Sequence, residues 1–168
     1  SGREITAVDA RLFTSPHYAE RLIPAGGTEP VTSDDGVLMS MEFEGGLRGV
    51  VNLSAVAGGE VQRLAIHGTE GALVVENDRT LWGRRRGEDL RLIDVPAEYL
   101  PPVWFPDRNL LLGPFVKLVG LMLDAIHGDA LVSPPTFADG VAVQRVLDAA
   151  RRSHAEGARV VLADLTVE

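Results

Sequence analysis

Alternating apolar and polar residues predict β-strands from residue 5 to about residue 95. Residues 5–13 alternate and are rich in strand-forming side chains. In residues 37–43 the odd-numbered positions are all apolar, and residues 47–55 return with the same period. Glu44-Gly45-Gly46 lies between these two segments and predicts a tight turn, because glycine readily adopts positive φ angles. We therefore predict a β-hairpin with one apolar face and one polar face.

Short turns connect the following strands. Asn77-Asp78 and Arg86-Gly87-Glu88 have the composition of turns, and no helical segment separates the strands around them. Strands joined in this way pair antiparallel. The strands predicted in this region are residues 61–67, 72–76, 80–84 and 90–95.

The remainder of the chain predicts two helices and a last strand, residues 159–165. Gly113-Pro114 opens a helix that ends at Gly128 and is apolar on nearly all sides, so we expect it to be deeply buried. Thr136 and Asp139 have the spacing of a capping box at the start of the second helix, which Gly157 ends. The predicted fold is α+β: an open, mainly antiparallel β-sheet with two principal helices packed on one face, in a single domain over residues 1–168.

Composition excludes several classes of protein. The chain has 168 residues, 24 acidic against 16 basic, and a formal net charge of −8, so we expect no binding to nucleic acid. It has no cysteine, which excludes disulfides, a thiol nucleophile and the common structural zinc sites. The most apolar stretch, residues 110–126, is interrupted by Pro114, Lys117 and Asp124. A bilayer span needs about 20 apolar residues, so we expect no membrane segment and a cytoplasmic protein.

No catalytic constellation stands out. No G-x-G-x-x-G follows a predicted strand, and adjacent Asp34-Asp35 are more typical of a strand entry than of a cation site. Arg84-Arg85-Arg86 offers an anion site, but a solvated turn with local ion pairs to Glu88 and Asp89 is the favoured interpretation. We predict no catalytic, cofactor-binding or metal-binding residue in this chain. The four histidines, without metal-ligand spacing, are His17, His67, His127 and His154.

The order of the turn and helix motifs resembles the C-terminal domain of the Gfo/Idh/MocA oxidoreductases, the family of glucose–fructose oxidoreductase and inositol dehydrogenase. The most specific motifs are the Gly68-Thr69-Glu70-Gly71 turn and the helix from Phe137 to Ser153, and the resemblance covers nearly the whole chain. The other motifs that carry it are Thr32-Ser33-Asp34-Asp35 before a strand, Phe43-Glu44-Gly45-Gly46 into the next strand, and Pro134-Pro135-Thr136 before the helix.

This resemblance implies one part of a two-domain enzyme. In the family, an N-terminal Rossmann domain binds NAD or NADP, and the C-terminal domain closes the substrate cleft and mediates subunit contacts. The family's Glu-Lys-Pro and Asp-x-x-x-His motifs do not occur in this sequence. The resemblance thus implies a fragment without the Rossmann domain. It would be the substrate-side and oligomerisation domain of a sugar or polyol dehydrogenase, catalytically incomplete alone and without a bound nicotinamide cofactor.

Two other functions remain open. One is a stand-alone binding or assembly module without catalysis. The other, ranked last, is an unrelated enzyme with a cleft built from Tyr18, Trp104 and Asp107.

We expect the polar sheet face to be a subunit interface in a homo-oligomer, because a broad open sheet usually needs cover. The alternative is a face open to water. The candidate interface residues are Ser40, Glu42, Arg48, Asn52 and Ser54.

Overall fold

A computed structural model of the chain describes residues 2–16, 20–22, 24–59, 62–97, 112–129 and 133–165. These residues belong to two compact units, residues 1–58 with 135–168 and residues 59–134. The described residues form ten strands and two helices. In chain order they are β1 (Ile5–Phe13), β2 (Glu20–Leu22), β3 (Thr28–Pro30), β4 (Gly36–Phe43), β5 (Arg48–Ser54), β6 (Arg63–His67), β7 (Gly71–Glu76), β8 (Thr80–Arg85), β9 (Arg91–Ile93), α1 (Leu112–His127), α2 (Phe137–Glu156) and β10 (Val160–Val161).

The first unit contains a four-stranded antiparallel sheet in the order β10-β1-β4-β5, here called the first sheet, and the two-stranded ribbon β2-β3. The predicted hairpin is β4 and β5. Its turn, Glu44–Gly46, has positive φ angles of 72° at Gly45 and 81° at Gly46, as the glycines predict. Met39 lies opposite Val51 and Met41 opposite Gly49, so the predicted alternation of the two strands is confirmed.

Helix α2 covers one face of the first sheet, and the core of this unit lies between them. Val8 and Ala10 of β1 pack with Ala149 and Ala150 of α2. Val160 and Leu162 from the end of the chain complete the buried cluster, which Met39 and Met41 border. The small alanines of α2 allow the helix to lie close to the strand. The apolar face of the hairpin is therefore the face that points toward the helix.

The two ends of α2 follow the sequence prediction. The Thr136 hydroxyl accepts the backbone N–H of Asp139 at 3.3 Å, and the Asp139 carboxylate accepts the backbone N–H of Thr136 at 2.7 Å. This reciprocal pair is a capping box, and it satisfies N–H groups that lack helical partners. At the other end, Gly157 has a φ of 66° and its N–H bonds to the Ser153 carbonyl.

The second unit contains an antiparallel sheet in the order β6-β7-β8-β9, here called the second sheet. Its β7–β8 turn has positive φ angles of 52° at Asn77 and 53° at Asp78, which confirms the predicted turn. Gly71 lies so close to β8 that an added Cβ would be 2.1 Å from the Arg84 carbonyl oxygen. Glycine at this place in the Gly68-Thr69-Glu70-Gly71 turn is therefore required by the approach of two backbones.

Helix α1 has the predicted position, but its predicted deep burial is wrong. Among its described residues only Gly113 is buried, whereas the Phe115 and Ile126 side chains are 60% and 75% exposed. An apolar pattern on all sides of a helix predicts that the helix packs against other apolar groups. It does not predict which part of a protein provides them. The fold class is nevertheless α+β with antiparallel sheets, as predicted.

Candidate subunit interface

The face of the first sheet that points away from α2 is here called the open face, and it carries the predicted interface residues. Side chains of directly paired residues lie on the same face of a sheet. Glu42 is paired with Arg48, and Leu38 with Asn52. Ser40 lies between them on β4, so the structure brings Ser40, Glu42, Arg48 and Asn52 together on one surface.

Ser54 lies on the same face but at the far end of β5, opposite Gly36. Its hydroxyl accepts the backbone N–H of Val56 at 3.4 Å, so it interacts with the chain that leaves the strand. Ser54 is thus the most peripheral of the five predicted residues.

Glu42 is held by two arginines. The Arg159 guanidinium donates to its carboxylate at 2.5 Å, and Arg48 lies 4.0 Å from the same group. The hydrogen bond from Arg159, and then the positive charges of Arg159 and Arg48, lower the pKa of Glu42 below its ordinary value. Glu42 is therefore an anion whose carboxylate is held in place by two arginines on this surface.

Arg48 is a highly accessible cation of the open face. Its side chain is 80% exposed, and its contact with Glu42 is at the outer limit of an ion pair. Such an exposed pair contributes little to folding stability. Most of the hydrogen-bonding capacity of the Arg48 guanidinium is therefore available to another molecule.

Apolar side chains lie among these polar groups, and the sequence interpretation gave them too little weight. Val50, directly opposite Ser40, is 82% exposed, and Leu38 is 50% exposed. The alternation that places Ser40 on this face also places Leu38 and Val50 there, so the signal was present in the sequence. A mixed surface with exposed apolar groups suits protein contact better than a purely solvated one.

Arg159 is a second residue that the sequence interpretation missed. It bonds Glu42 from 117 positions farther along the chain. No local pattern indicates that pairing, because it arises only when β10 returns beside β1.

No group of three or more His, Asp or Glu side chains in the described part of the chain is placed to hold a metal ion. Asp35, one of the adjacent acids, accepts the Ser15 backbone N–H at 2.7 Å, which confirms its structural role at a strand entry.

Other residues that the sequence singled out lie elsewhere. His67 ends β6 and His127 ends α1, whereas His154 lies in the last turn of α2. His17 falls outside the described residues. So do the three residues of the lowest-ranked enzyme hypothesis, Tyr18, Trp104 and Asp107.

The expected local ion pairs of Arg84-Arg85-Arg86 are not formed. Glu88 binds Arg91 at 3.3 Å instead, because β9 brings that arginine back beside the turn. Within the described part of the second unit, the three consecutive arginines make no ion pair with a carboxylate.

The start of α2 does not fit the pyrophosphate of a nicotinamide dinucleotide. A helix N-terminus attracts phosphate through free N–H groups and its dipole. Here the Asp139 carboxylate already occupies that position, and the Thr136 hydrogen bonds lower its pKa, so it is an anion. None of the described helices is both long and apolar enough to cross a lipid bilayer.

These features define an α+β domain with a helix-covered antiparallel sheet and an open face, and comparison with known proteins identifies the family. Residues 6–162 match the family model described as the oxidoreductase family, C-terminal alpha/beta domain. The chain belongs to the Gfo/Idh/MocA oxidoreductase family, as the resemblance predicted.

Solved structures support this assignment. An oxidoreductase domain protein from Kribbella flavida is 31% identical, with a TM-score of 0.78 over 96% of this chain and 45% of that one. Levoglucosan dehydrogenase in complex with NADH and L-sorbose is 28% identical, with a TM-score of 0.78 over 95% of this chain and 46% of that one. An uncharacterized oxidoreductase of Synechocystis sp. is 27% identical over 82% of this chain and 38% of its own length. This chain thus spans less than half the length of these relatives.

Proposed function

We propose that the chain is the substrate-side and oligomerisation domain of an NAD(P)-dependent oxidoreductase that acts on a sugar or polyol, and that it is catalytically incomplete alone. The observation that carries the proposal is the match of nearly the whole chain to a C-terminal family domain, over less than half the length of each relative. The ligands in the solved structure of levoglucosan dehydrogenase, NADH and L-sorbose, support the cofactor and substrate class.

The first test is to read the gene upstream of Ser1. A G-x-G-x-x-G after a predicted strand, followed by Glu-Lys-Pro and Asp-x-x-x-His, would support the two-domain enzyme. A start codon at or near Ser1 would contradict it and favour the stand-alone binding module.

A biochemical test uses the longer gene product. We expect it to reduce NAD or NADP, followed by nicotinamide absorbance, with at least one member of a panel of levoglucosan, L-sorbose and simple polyols. The 168-residue chain in the same assay serves as the control, and we expect it neither to bind NADH at micromolar concentration nor to turn over. Micromolar NADH binding by the short chain would contradict its proposed role.

We further propose that the open face contacts a second copy of the chain. A twofold interface uses the same patch on both subunits and so needs groups that complement one another. The open face offers exposed Val50 and Leu38 as an apolar centre, with Arg48 and the exposed Arg11–Asp9 ion pair close by. Asp9 lies opposite Ser40 on the neighbouring strand, within the same patch.

Light scattering across a concentration series tests the interface. We expect the wild-type chain to self-associate and Arg48→Glu or Val50→Asp to shift the mass toward the monomer. Arg79→Glu is a matched control, because it makes the same charge change as Arg48→Glu at an exposed turn of the second sheet. A monomeric wild type at all concentrations, or equal effects of Arg48→Glu and Arg79→Glu, would contradict this interface.

A further inference from the structure

The second sheet has a basic groove at one end, between the turn before β7 and the turn after β8. Its walls include His67, Thr69, Arg84 and Arg86, with Ala72 among the residues that line it. The groove has a volume of about 520 Å³, and it lies wholly within the second unit. It is independent of the open face.

Strand register places His67 and Arg84 on either side of Ala72. His67 is paired with Ala72, and Ala72 is paired with Arg84, so the three side chains lie in one row on the same face of the sheet. The outer two residues are two strand spacings apart, roughly 10 Å. Because Ala72 between them has only a methyl group and is buried, the space above it is bounded by an imidazole and a guanidinium.

Two turns add donors at the rim and hold the groove in shape. The backbone N–H of Arg86 bonds to the Glu70 carbonyl at 2.8 Å, which ties one turn to the other. The Gly68 N–H bonds to the Gly71 carbonyl at 2.8 Å and closes the first turn. Gly71 lets that turn pack against the Arg84 backbone, where a Cβ would be 2.1 Å from the carbonyl oxygen. Thr69 and Arg86, which line the groove, are therefore held by backbone that is hydrogen-bonded on both sides.

The charge of the groove is not neutralised by the chain itself. Eight ion pairs between side chains occur among the described residues, and none includes Arg84 or Arg86. The carboxylate of Glu88 also lines the groove, but it is bound to Arg91 at 3.3 Å. In a chain with a net charge of −8, a concave site with two uncompensated guanidinium groups is a local exception.

We propose that this groove binds the phosphate group of a small molecule. Guanidinium groups match the oxygens of phosphate with two parallel hydrogen bonds, and two arginines complement a dianion. Thr69 supplies a neutral hydroxyl donor, and His67 supplies a ring N–H. The ligand is either free inorganic phosphate or a phosphorylated sugar, which present the same group to these donors.

The experiment is a calorimetric titration of the 168-residue chain with inorganic phosphate at constant ionic strength, with chloride as the reference anion. We expect Arg84→Gln and Arg86→Gln each to weaken phosphate binding by about tenfold or more, because each removes charge-assisted hydrogen bonds. Arg85→Gln is the matched control. It makes the same charge change in the same run of arginines, but alternation places Arg85 on the opposite face of the sheet.

We expect Arg85→Gln to bind phosphate within about twofold of the wild type, since it leaves the groove donors intact. Circular dichroism of each variant verifies that these exposed substitutions leave the fold unchanged. Thr69→Ala is a second, uncharged variant, and we expect it to weaken binding without any change in net charge.

A comparison of glucose 6-phosphate with glucose and with inorganic phosphate distinguishes the two sources. Tighter binding of glucose 6-phosphate than of inorganic phosphate identifies a sugar phosphate, whereas equal affinities identify free phosphate. Absence of phosphate binding at millimolar concentration would overturn the proposal. So would equal losses in the Arg84→Gln and Arg85→Gln variants, which would show general charge attraction only. Neither outcome bears on the proposed dehydrogenase role, because the titration needs no catalysis.

Discussion

The Ser153 hydroxyl of α2 accepts a hydrogen bond from the backbone N–H of Ala10 in β1, across 2.9 Å. Strand β10 pairs with β1 only at Ala7 and Val8, so the edge of β1 beyond them has no neighbouring strand in the first sheet. His154 continues the pattern, because its Nδ1 accepts the N–H of Leu12 at 3.2 Å. Two consecutive side chains of the helix thus accept the backbone N–H groups that a neighbouring strand would otherwise bind through its carbonyl oxygens.

The first prediction concerns these two hydrogen bonds. Ser153→Ala should lower the free energy of unfolding by about 1–3 kcal/mol, because it leaves a buried N–H without an acceptor. Ser153 is fully buried, whereas His154 is exposed, so water can satisfy the Leu12 N–H in the His154→Ala variant. Urea unfolding followed by circular dichroism should therefore show a larger loss for Ser153→Ala than for His154→Ala. The reverse order would contradict this account of the β1 edge.

The capping box of α2 gives a second prediction. Thr136→Ala removes the hydroxyl that accepts the Asp139 N–H and should cost about 1 kcal/mol of stability. Thr136→Ser keeps that hydroxyl and serves as the control, with a change of only a few tenths of a kcal/mol expected. Thermal unfolding of both variants measures the difference. Equal losses would show that the methyl group, not the hydrogen bond, is what matters.

Gly71 leads to a third prediction. Gly71→Ala should lower the free energy of unfolding by about 1–3 kcal/mol, because its Cβ would overlap the Arg84 carbonyl and force the strands apart. Gly68→Ala, in the same turn, is the matched control, since the Cβ that it adds would come no closer than 3.7 Å to another atom and its φ is not positive. Tryptophan fluorescence during urea unfolding, measured in a Trp104→Phe background, reports on the second sheet, because Trp82 lies in β8. Similar midpoints for the two variants would contradict the close approach.

A fourth prediction concerns acid. The Arg159 hydrogen bond and the nearby arginine charges lower the pKa of Glu42 in the folded chain below its ordinary 4.5. A carboxyl with a lowered folded pKa stabilises the fold above its unfolded pKa, and this stabilisation is lost as the pH falls through the folded pKa. Glu42→Gln cannot ionise, so its stability should fall less steeply than that of the wild type below about pH 4.5.

Urea midpoints measured from pH 7 to pH 3 test this difference. Arg159→Gln should flatten the same part of the wild-type profile, because it removes the hydrogen bond that lowers the Glu42 pKa most. Parallel profiles for the wild type and Glu42→Gln would show that this carboxylate has no part in the acid sensitivity.

Local sequence patterns predicted most elements of this fold and the faces of its hairpin. They did not predict the β2–β3 ribbon, and the last strand is Val160–Val161 rather than residues 159–165. Strict alternation placed Ser40 and Glu42 on one face because strand periodicity needs only neighbouring residues. The capping box at Thr136 is likewise contained within four positions. Motif order was sufficient to indicate the family, since each motif marks a turn or a helix start of the domain.

Contacts between distant positions could not be predicted in this way. The Arg159–Glu42 pair and the Ser153–Ala10 hydrogen bond join residues 117 and 143 positions apart, and neither leaves a local signal. The predicted burial of α1 was wrong for a related reason. Apolar residues on all sides of a helix do not determine which other part of a protein packs against it. For the candidate interface, the alternation of apolar and polar residues showed which side chains share a face. That pattern does not show which molecule binds to the face.

The side chains of α2 also control how the first sheet can be extended by another polypeptide. An exposed strand edge is a template for intermolecular strand addition, and hence for aggregation. On the β1 side, a foreign strand would have to displace Ser153 and His154 from their backbone donors. Strand β5 lies at the opposite edge of the sheet. Among the described residues, no helix side chain accepts a hydrogen bond from its backbone as Ser153 and His154 do from β1. Strand addition beside β1 beyond Val8 is therefore hindered by the helix, so substitutions that suppress aggregation belong first on β5.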